Sequence, residues 1–455
     1  MTGLLVLVAL GALGTEPAND GSDWPQFLGP ARNGVSPETN LLAQWTSAGP
    51  PLLWDKQTGT GYCAPSIRGN RLILFHRLGD QEIVACLDAR TGAELWNYAY
   101  PSHFIDPYGY NNGPRSAPLL TQDRVFTFGA EGMLSCLDLQ TGKPVWQIDT
   151  AKKWQIPEAF FGVGTSPVLE DGRLLVMMGG QPNSGMVALD PASGKTLWES
   201  VGETNWAGIP MTIWPGERRV VWNPTEKQAS YSTPVIATVH GKKRAFCFTR
   251  QGLVSLDPAT GAVDFSYWFR AQVPESVNAM SPIVVDDMVL VSSAYYRTGA
   301  ALLKIGEDTK SFEPVWRGLS LEIHWNTPVY HQGFLYAFSG RNEPDAHFRC
   351  VEFKTGRVMW DLDESWRGHS QVPPEVYGRG SAILADDRLI VAGEAGMLGM
   401  FKLNSEKAVE ICRCQVPQLH YPCWAGPVLS KKRLYLRSET HLVCFNLAPD
   451  PSVNR

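Results

Sequence analysis

The chain has 455 residues, with 45 acidic and 40 basic side chains, a formal net charge of −5 and 44% hydrophobic residues. This length and apolar content exclude a disordered chain and a coiled coil, and they allow one large all-β domain or two to three ordinary domains. The nearly balanced charge gives no basis for a nucleic-acid partner or for an anionic membrane surface.

A signal peptide is predicted at residues 1–14. Residues 4–13 form an apolar run that ends in small residues, and the sequence turns polar at Thr15. Because a transmembrane helix needs about 20 apolar residues, we expect export to the periplasm or the extracellular space, with no integral membrane segment after cleavage. No basic residue precedes the run, which leaves a wrongly assigned start site as the alternative.

One pattern recurs eight times along the chain. A small or hydroxyl residue and an anchor proline precede four short apolar strands, of which the third ends in Leu-Asp and the last in Trp. The anchors, 45 to 67 residues apart, are Pro65, Pro118, Pro167, Pro234, Pro282, Pro328, Ala382 and Pro427. This period predicts an all-β fold, an eight-bladed β-propeller of four-stranded antiparallel blades over residues 50–447. Residues 15–49 then form an N-terminal extension and residues 448–455 a C-terminal tail.

A tight turn precedes the last strand of most repeats. In the second repeat it contains Asp138, Thr141 and Gly142; the polar side chains can bond the turn backbone, and the glycine supplies a positive φ angle. The aromatic residue that ends each last strand is expected to pack between neighbouring blades. These aromatic residues are Trp96, Trp146, Trp198, Phe265, Trp316 and Trp360.

The eighth repeat contains only three strands. Residues 51–54 match a Trp-ending strand and lie ahead of the first repeat. We therefore predict that this N-terminal strand completes the last blade, which leaves no open sheet edge.

Nine cysteines are present, an odd number that cannot pair completely within one chain. Four of them occupy one position of the repeat, which predicts small buried hydrophobic residues rather than ligands. These four are Cys86, Cys136, Cys350 and Cys444. Cys412, Cys414 and Cys423 lie close together in sequence, and one disulfide among them is our hypothesis.

The residues three positions before each anchor are expected to converge at the mouth of the central channel, because the innermost strand of each blade lines that channel. They are Tyr62, Arg115, Gly164, Tyr231, Ala279, Trp325, Arg379 and Trp424. Their four aromatic rings and two guanidinium groups predict a ligand-binding mouth that accepts a small planar or anionic ligand, or a protein segment. The alternative is that the aromatic residues cap the channel and the arginines pair with nearby Glu side chains or backbone carbonyls.

Residues 188–198, ALDPASGKTLW, closely resemble the signature of pyrroloquinoline-quinone (PQQ)-repeat propellers. Residues 24–36, WPQFLGPARNGVS, resemble the opening of a secreted subgroup from planctomycete-type bacteria. The resemblance covers almost the whole mature chain and implies a propeller fold. For function it implies either a PQQ- and calcium-dependent alcohol or sugar dehydrogenase or a non-catalytic propeller like that of the outer-membrane β-barrel assembly machinery.

The dehydrogenases of this family use adjacent cysteines, a calcium ion held by Glu, Asn and Asp, a catalytic Asp, and a Trp beneath the quinone. Here Arg413 separates Cys412 from Cys414, and the chain is shorter than those enzymes. The acidic residues considered for a metal occupy polar loops where turn capping is their ordinary role, so no metal site is assigned. These are Asp106 with Asn111 and Asn112, and Glu203 with Asn205.

The leading hypothesis is therefore an exported, monomeric, non-catalytic scaffold or binding protein that uses the aromatic and arginine mouth. The alternative is a dehydrogenase with an altered site, which would use PQQ with calcium. No catalytic residue is assigned from the sequence.

Overall fold

A computed structural model describes residues 22–154, 156, 161–180, 182–202, 230–271, 276–340, 344–373 and 375–449. These residues form eight four-stranded antiparallel sheets. The predicted all-β, eight-bladed propeller is therefore confirmed. The helical elements described are one short helix, α1 (Thr150–Trp154), and one 3₁₀ turn (Tyr295–Arg297). No helix among the described residues has the length and apolar character needed to span a bilayer.

Each blade is a consecutive set of four strands, with one exception. In order from the inner to the outer strand, the first three blades are blade 1, β2 (Ser66–Arg68), β3 (Arg71–Leu78), β4 (Gln81–Asp88) and β5 (Glu94–Pro101); blade 2, β6 (Leu119–Leu120), β7 (Arg124–Phe128), β8 (Met133–Asp138) and β9 (Pro144–Asp149); and blade 3, β10 (Val168–Glu170), β11 (Arg173–Gly180), β12 (Ser184–Leu189) and β13 (Thr196–Ser200). The next three are blade 4, β14 (Val235–Val239), β15 (Lys242–Phe248), β16 (Gly252–Leu256) and β17 (Val263–Trp268); blade 5, β18 (Ile283–Val285), β19 (Met288–Ser293), β20 (Gly299–Ile305) and β21 (Phe312–Gly318); and blade 6, β22 (Val329–His331), β23 (Phe334–Ser339), β24 (His347–Glu352) and β25 (Val358–Asp363). The last two are blade 7, β26 (Gly380–Ala385), β27 (Arg388–Gly393), β28 (Met397–Lys402) and β29 (Val409–Gln415), and the exception, blade 8, in which β30 (Val428–Ser430), β31 (Arg433–Arg437) and β32 (His441–Asn446) are followed by the N-terminal strand β1 (Leu52–Gln57).

The position of a strand within its blade explains its residue pattern. β3 is buried along most of its length, because both faces of a middle strand pack against neighbouring blades. In β5, an outer strand, exposed positions alternate with half-buried ones. Hydrophobic residues therefore fill the space between blades, whereas the outer strands expose both polar side chains and apolar ones such as Leu95 and Val145.

Tryptophans within the outer strands join six of the blades to the next. The expectation that each last strand ends in Trp is wrong, because the strand continues past it, as β9 does from Trp146 to Asp149. Trp146 donates a hydrogen bond from Nε1 to the carbonyl of Pro191 in the following blade, at 3.0 Å. Its ring lies against Gly194, where an added Cβ would meet ring carbon Cδ2 at 2.9 Å and where φ is +69°. The same Trp-to-carbonyl bond is made by Trp54, Trp96, Trp198, Trp316 and Trp360.

The fourth repeat has Phe265 at this position, and its ring packs on that of Phe312 in blade 5 at a centroid distance of 4.9 Å. The expected packing of these aromatic residues between blades is therefore confirmed.

The N-terminal strand closes the ring as predicted. β1 pairs antiparallel with β32, with Trp54 opposite Cys444. Arg437, on β31, adds a second connection, because its buried guanidinium donates to the carbonyls of Cys63 and Phe75 in blade 1 at 2.7 and 3.1 Å. The last blade is thus joined to the first by both a sheet and a buried arginine.

All nine cysteines are free thiols. The four at the repeat position are fully buried, as expected. The hypothesis of a disulfide among Cys412, Cys414 and Cys423 is wrong. Cys412 and Cys414 are alternate residues of β29, about 6.6 Å apart along the strand, which is near the upper limit for a disulfide. Cys423 instead donates a hydrogen bond to the carbonyl of His420.

Trp146→Ala should lower the free energy of unfolding by about 2–4 kcal/mol, because it empties the space between blades 2 and 3 and leaves the Pro191 carbonyl without its donor. Urea denaturation followed by circular dichroism measures this change. Val145→Ala, which truncates an exposed neighbour on the same strand, serves as the control. Equal midpoints for the two variants would contradict the proposed joining role of Trp146.

A pH-dependent stability is expected from His76 at the junction of blades 8 and 1. Its Nδ1 accepts the Gly59 N–H at 2.9 Å, and burial, aided by Arg437 and Lys56, lowers the pKa of His76 to about 4. The unfolded chain therefore binds the extra proton first, and the free energy of unfolding should fall by roughly 3 kcal/mol from pH 6.5 to pH 4.

The variant His76→Asn keeps an acceptor for the Gly59 N–H but does not titrate. Urea denaturation at a series of pH values should show a smaller loss of stability for this variant over the same window. The same loss in both proteins would rule out His76 as the cause.

Candidate functional site

The eight positions predicted to converge at the mouth lie together in the structure. They line one concave space at one end of the channel, which we call the mouth cavity, with a volume of about 990 Å³ including its open entrance. These residues are Tyr62, Arg115, Gly164, Tyr231, Ala279, Trp325, Arg379 and Trp424. Their convergence follows from the repeat, because each precedes an inner strand at the same distance. Their role in ligand binding stays a prediction.

Further residues line the mouth cavity beyond the eight positions of the repeat. Tyr110 and Phe161 come from the aromatic loops before blades 2 and 3, and His324 precedes the predicted Trp325. Tyr295 comes from the 3₁₀ turn between β19 and β20, and Phe27 comes from the N-terminal extension. The sequence contains a signal for the position of Tyr295, because Tyr295 and Tyr296 are adjacent in a turn between two apolar strands.

Aromatic rings form a continuous wall of the mouth cavity. The ring centroid of Trp424 lies 4.8 Å from that of Tyr62, 5.1 Å from that of Trp325 and 5.6 Å from that of Tyr110. Phe161 continues the wall at 5.7 Å from Tyr110. The rings are tilted or edge-on to each other, which is the favourable arrangement for aromatic pairs.

Arg379 is held by a buried glutamate. Its Nη2 donates to Glu394 Oε2 at 3.0 Å, its backbone N–H donates to Oε1 at 2.8 Å, and the Trp424 indole donates to Oε2 at 3.1 Å. The guanidinium lies over the Trp325 ring, 4.6 Å from its centroid. Burial raises the pKa of Glu394, and Arg379 opposes that rise. The glutamate therefore fixes two residues of the cavity wall and balances the charge of the arginine.

Arg115 is neutralised in the same way on the other side. Its Nη2 donates to Asp106 Oδ2 at 2.6 Å, and the Asp106 side chain is fully buried. The guanidinium lies 5.3 Å from the ring centroid of Tyr62. Burial lowers the pKa of Arg115, and Asp106 opposes that change.

The expected pairing with Glu or backbone carbonyls holds for Arg379 with Glu394 and for Arg115 with the carbonyls of Gly113 and Asn111. The carboxylate partner of Arg115 is an aspartate, which was not expected.

His324 connects the Arg379 network to Tyr295 of blade 5, two blades away in the ring. Arg379 Nη1 lies 3.2 Å from His324 Nδ1, and His324 Nε2 lies 3.2 Å from the Tyr295 hydroxyl. Because a guanidinium only donates, Nδ1 accepts, and the imidazole carries its proton on Nε2. The neutral His324 ring therefore holds the Tyr295 hydroxyl by a hydrogen bond, and both side chains line the mouth cavity.

The donor set of the mouth cavity does not fit a calcium ion. Calcium takes six to eight oxygen ligands, usually including carboxylates, and the described lining contains no Asp or Glu. The nearby carboxylates of Asp106 and Glu394 bond the arginines. No group of three or more His, Cys, Asp or Glu suited to a metal occurs among the described residues.

The loop that contains Asp106 uses its polar side chains for capping. Asn112 Oδ1 accepts the Asp106 N–H, and Asn111 Oδ1 accepts the Gly113 N–H. The second acidic pair considered from the sequence, Glu203 with Asn205, lies outside the described residues.

A family model described as outer membrane protein assembly factor BamB matches residues 79–362. No curated protein sequence matches significantly. BamB from Moraxella catarrhalis is similar in structure, with a TM-score of 0.55, 14% identity, and coverage of 87% of this chain and 97% of that chain. The quinohemoprotein alcohol dehydrogenase from Comamonas testosteroni gives a TM-score of 0.62, 13% identity and coverage of 94% and 81%.

The computationally designed Ika8 protein gives a TM-score of 0.53 at 10% identity and covers 87% of this chain and 100% of that chain. At these identities the three structures share the fold with this chain, and a fold alone does not determine a function.

Arg379→Met should lower the free energy of unfolding by about 3–5 kcal/mol, because it leaves Glu394 buried without its counter-charge. The double variant Arg379→Met/Glu394→Gln should recover most of that loss, since both charges are then removed. Urea denaturation of the single and double variants measures the coupling, and Arg90→Met, at an exposed ion pair, serves as the control. Additive effects of the two substitutions would contradict the pairing.

Proposed function

Since this chain belongs to the family of PQQ-repeat propellers described as outer membrane protein assembly factor BamB, we propose that it is an exported, non-catalytic binding protein. Its mouth cavity holds an uncharged apolar or aromatic side chain that projects from a segment of a partner protein. The family supports a role in protein binding, and the cavity supports the chemistry of the bound group.

The pairing of both mouth arginines with buried carboxylates carries this proposal. Because Asp106 balances Arg115 and Glu394 balances Arg379, the described lining presents aromatic faces without an excess of positive charge. An anionic ligand gains little from guanidinium groups that are already neutralised, whereas an apolar or aromatic group gains from contact with the rings. This argument favours a neutral group over the anionic ligand considered from the sequence.

The rim around the cavity suits a protein partner. Ile105 is 75% exposed, Tyr108 50%, Tyr110 47% and Tyr421 44%. The ring of Tyr108 contacts Phe161 and that of Tyr421 contacts Trp424, so the exposed rim is continuous with the cavity wall. Exposed aromatic residues around a concave centre are typical of protein interfaces, where Trp, Tyr and Arg contribute most of the binding energy.

Export is supported by the apolar run at residues 4–13. The name of the matched family places its members in outer-membrane protein assembly, which agrees with a location outside the inner membrane. The predicted signal peptide itself lies outside the described residues.

The proposal predicts that short peptides bind at the mouth. Selection of a phage-displayed library of random peptides on the purified protein should enrich sequences with one aromatic or large aliphatic residue. Trp325→Ala should weaken the enriched peptides about 30-fold, as expected for a central interface tryptophan. The exposed Tyr110→Ala should weaken them several-fold, and Leu95→Ala, on an outer strand, should leave binding unchanged. Fluorescence anisotropy of labelled peptides measures these affinities.

Titration with PQQ, with and without calcium, separates the proposal from the dehydrogenase alternative. We expect no binding at about 100 μM, which corresponds to a free energy weaker than about −5.5 kcal/mol. Calcium-dependent binding below 1 μM that is lost in Trp325→Ala would establish the quinone site. That result, or peptides whose affinity is the same for Trp325→Ala and the unchanged protein, would overturn the proposal.

A further inference from the structure

The N-terminal extension is fastened to the face of the propeller opposite the mouth. We call its described part, residues 22–49, the strap. Trp24 exchanges backbone hydrogen bonds with Ile67 in blade 1, at 3.0 and 2.7 Å. The carbonyl of Pro25 accepts the Leu120 N–H of blade 2 at 2.8 Å. The strap therefore begins by joining two inner strands at their ends far from the mouth.

The strap then crosses the channel. Arg32 donates to Glu170 and to the Leu169 carbonyl of blade 3, at 3.2 and 2.7 Å. Only three residues later, Val35 lies in a parallel bridge with Leu384 of blade 7. Because blades 3 and 7 lie on opposite sides of an eight-bladed ring, the chain between these contacts passes over the lower end of the channel.

Specific contacts hold the strap in this position. The Trp24 side chain is buried and packs on Gly29, where an added Cβ would lie 2.9 Å from the ring. Further along, the buried Glu38 accepts the backbone N–H groups of Lys431 and Lys432, both at 2.5 Å. These bonds cap the hairpin turn of blade 8. The strap is thus a fixed part of the fold at both ends of its crossing.

Phe27 projects from the strap into the channel. It lines the mouth cavity together with Thr233, and with Pro167 and Val168 it also lines a smaller space that has room for about one water molecule. The phenylalanine is half-buried because one side borders the cavity. Phe27 therefore borders both spaces.

We propose that Phe27 is the floor of the binding site and determines the length of the apolar group that the mouth cavity accepts. Among the described residues the strap closes the lower end of the channel, so a ligand enters and leaves at the mouth. This inference rests on the proposed function of the same cavity, and it adds a specificity-determining residue from outside the repeats.

The binding of 4-alkylphenols of increasing chain length tests this role of Phe27. Phe27→Ala should open the space below and strengthen the binding of 4-hexylphenol by about tenfold, because two further methylene groups become buried. The same variant should leave 4-methylphenol unchanged, and Phe27→Trp should weaken the long ligand only. Trp325→Ala should weaken the whole series. Isothermal titration calorimetry measures the affinities, and Leu95→Ala serves as the control.

A ligand-independent measurement accompanies the titrations. Crystals of Phe27→Ala under xenon should show the mouth cavity joined to the lower space, with a xenon site there that the unchanged protein lacks, since xenon enters apolar cavities of any function.

If the alkylphenols bind but Phe27→Ala shows the same chain-length limit, Phe27 is not the floor, although the proposed apolar site stands. If no alkylphenol binds while the xenon site appears, the floor is correct and the proposed apolar site fails. A Phe27→Ala crystal structure without a joined cavity overturns the inference in either case.

Discussion

In seven of the eight blades of this propeller, an aromatic residue within the outer strand fastens the blade to the next one, and in blade 7 Cys412 takes that position, opposite Met400. The tryptophan at this position fills the gap between two sheets, rests on a glycine of the next turn and donates to a carbonyl there, as Trp146 does with Gly194 and Pro191. This contact repeats at a fixed place in the pattern, so it sets the spacing of the blades. The inner strands are thereby arranged so that equivalent residues face one axis, and the mouth cavity is a consequence of that arrangement.

The repeat explains why the fold and most of the cavity were predictable from the sequence. A period of about 50 residues, with Trp and Gly at fixed offsets, determines the number of blades, the closure by β1 and the convergence of residues such as Tyr62 and Trp424. Features outside the repeat were not predictable. Phe27 lies in a segment without repeat phase, and the pairing of Arg379 with Glu394 joins a loop to a strand end through burial. The disulfide hypothesis failed because closeness in sequence does not specify strand geometry.

The kind of ligand that suits the mouth cavity depends more on how its charged side chains are paired than on which residue types line it. Two arginines at a channel mouth suggest an anion site, but each has a buried carboxylate of its own and also supports an aromatic ring. The arginines therefore support the rings of the aromatic wall by direct contact, and the surface left for a ligand is neutral. Together with the floor at Phe27, this gives a blind, aromatic pocket within an exposed aromatic rim.

The central claim is that a partner protein contacts this mouth. Photo-crosslinking in the cells that produce the protein tests it most directly, with p-benzoylphenylalanine placed at Tyr110 on the rim or at Leu95 on an outer strand. The account predicts one dominant crosslinked partner protein for position 110 and none for position 95, identified by mass spectrometry. The absence of a crosslink at position 110, or the same products from both positions, would contradict it.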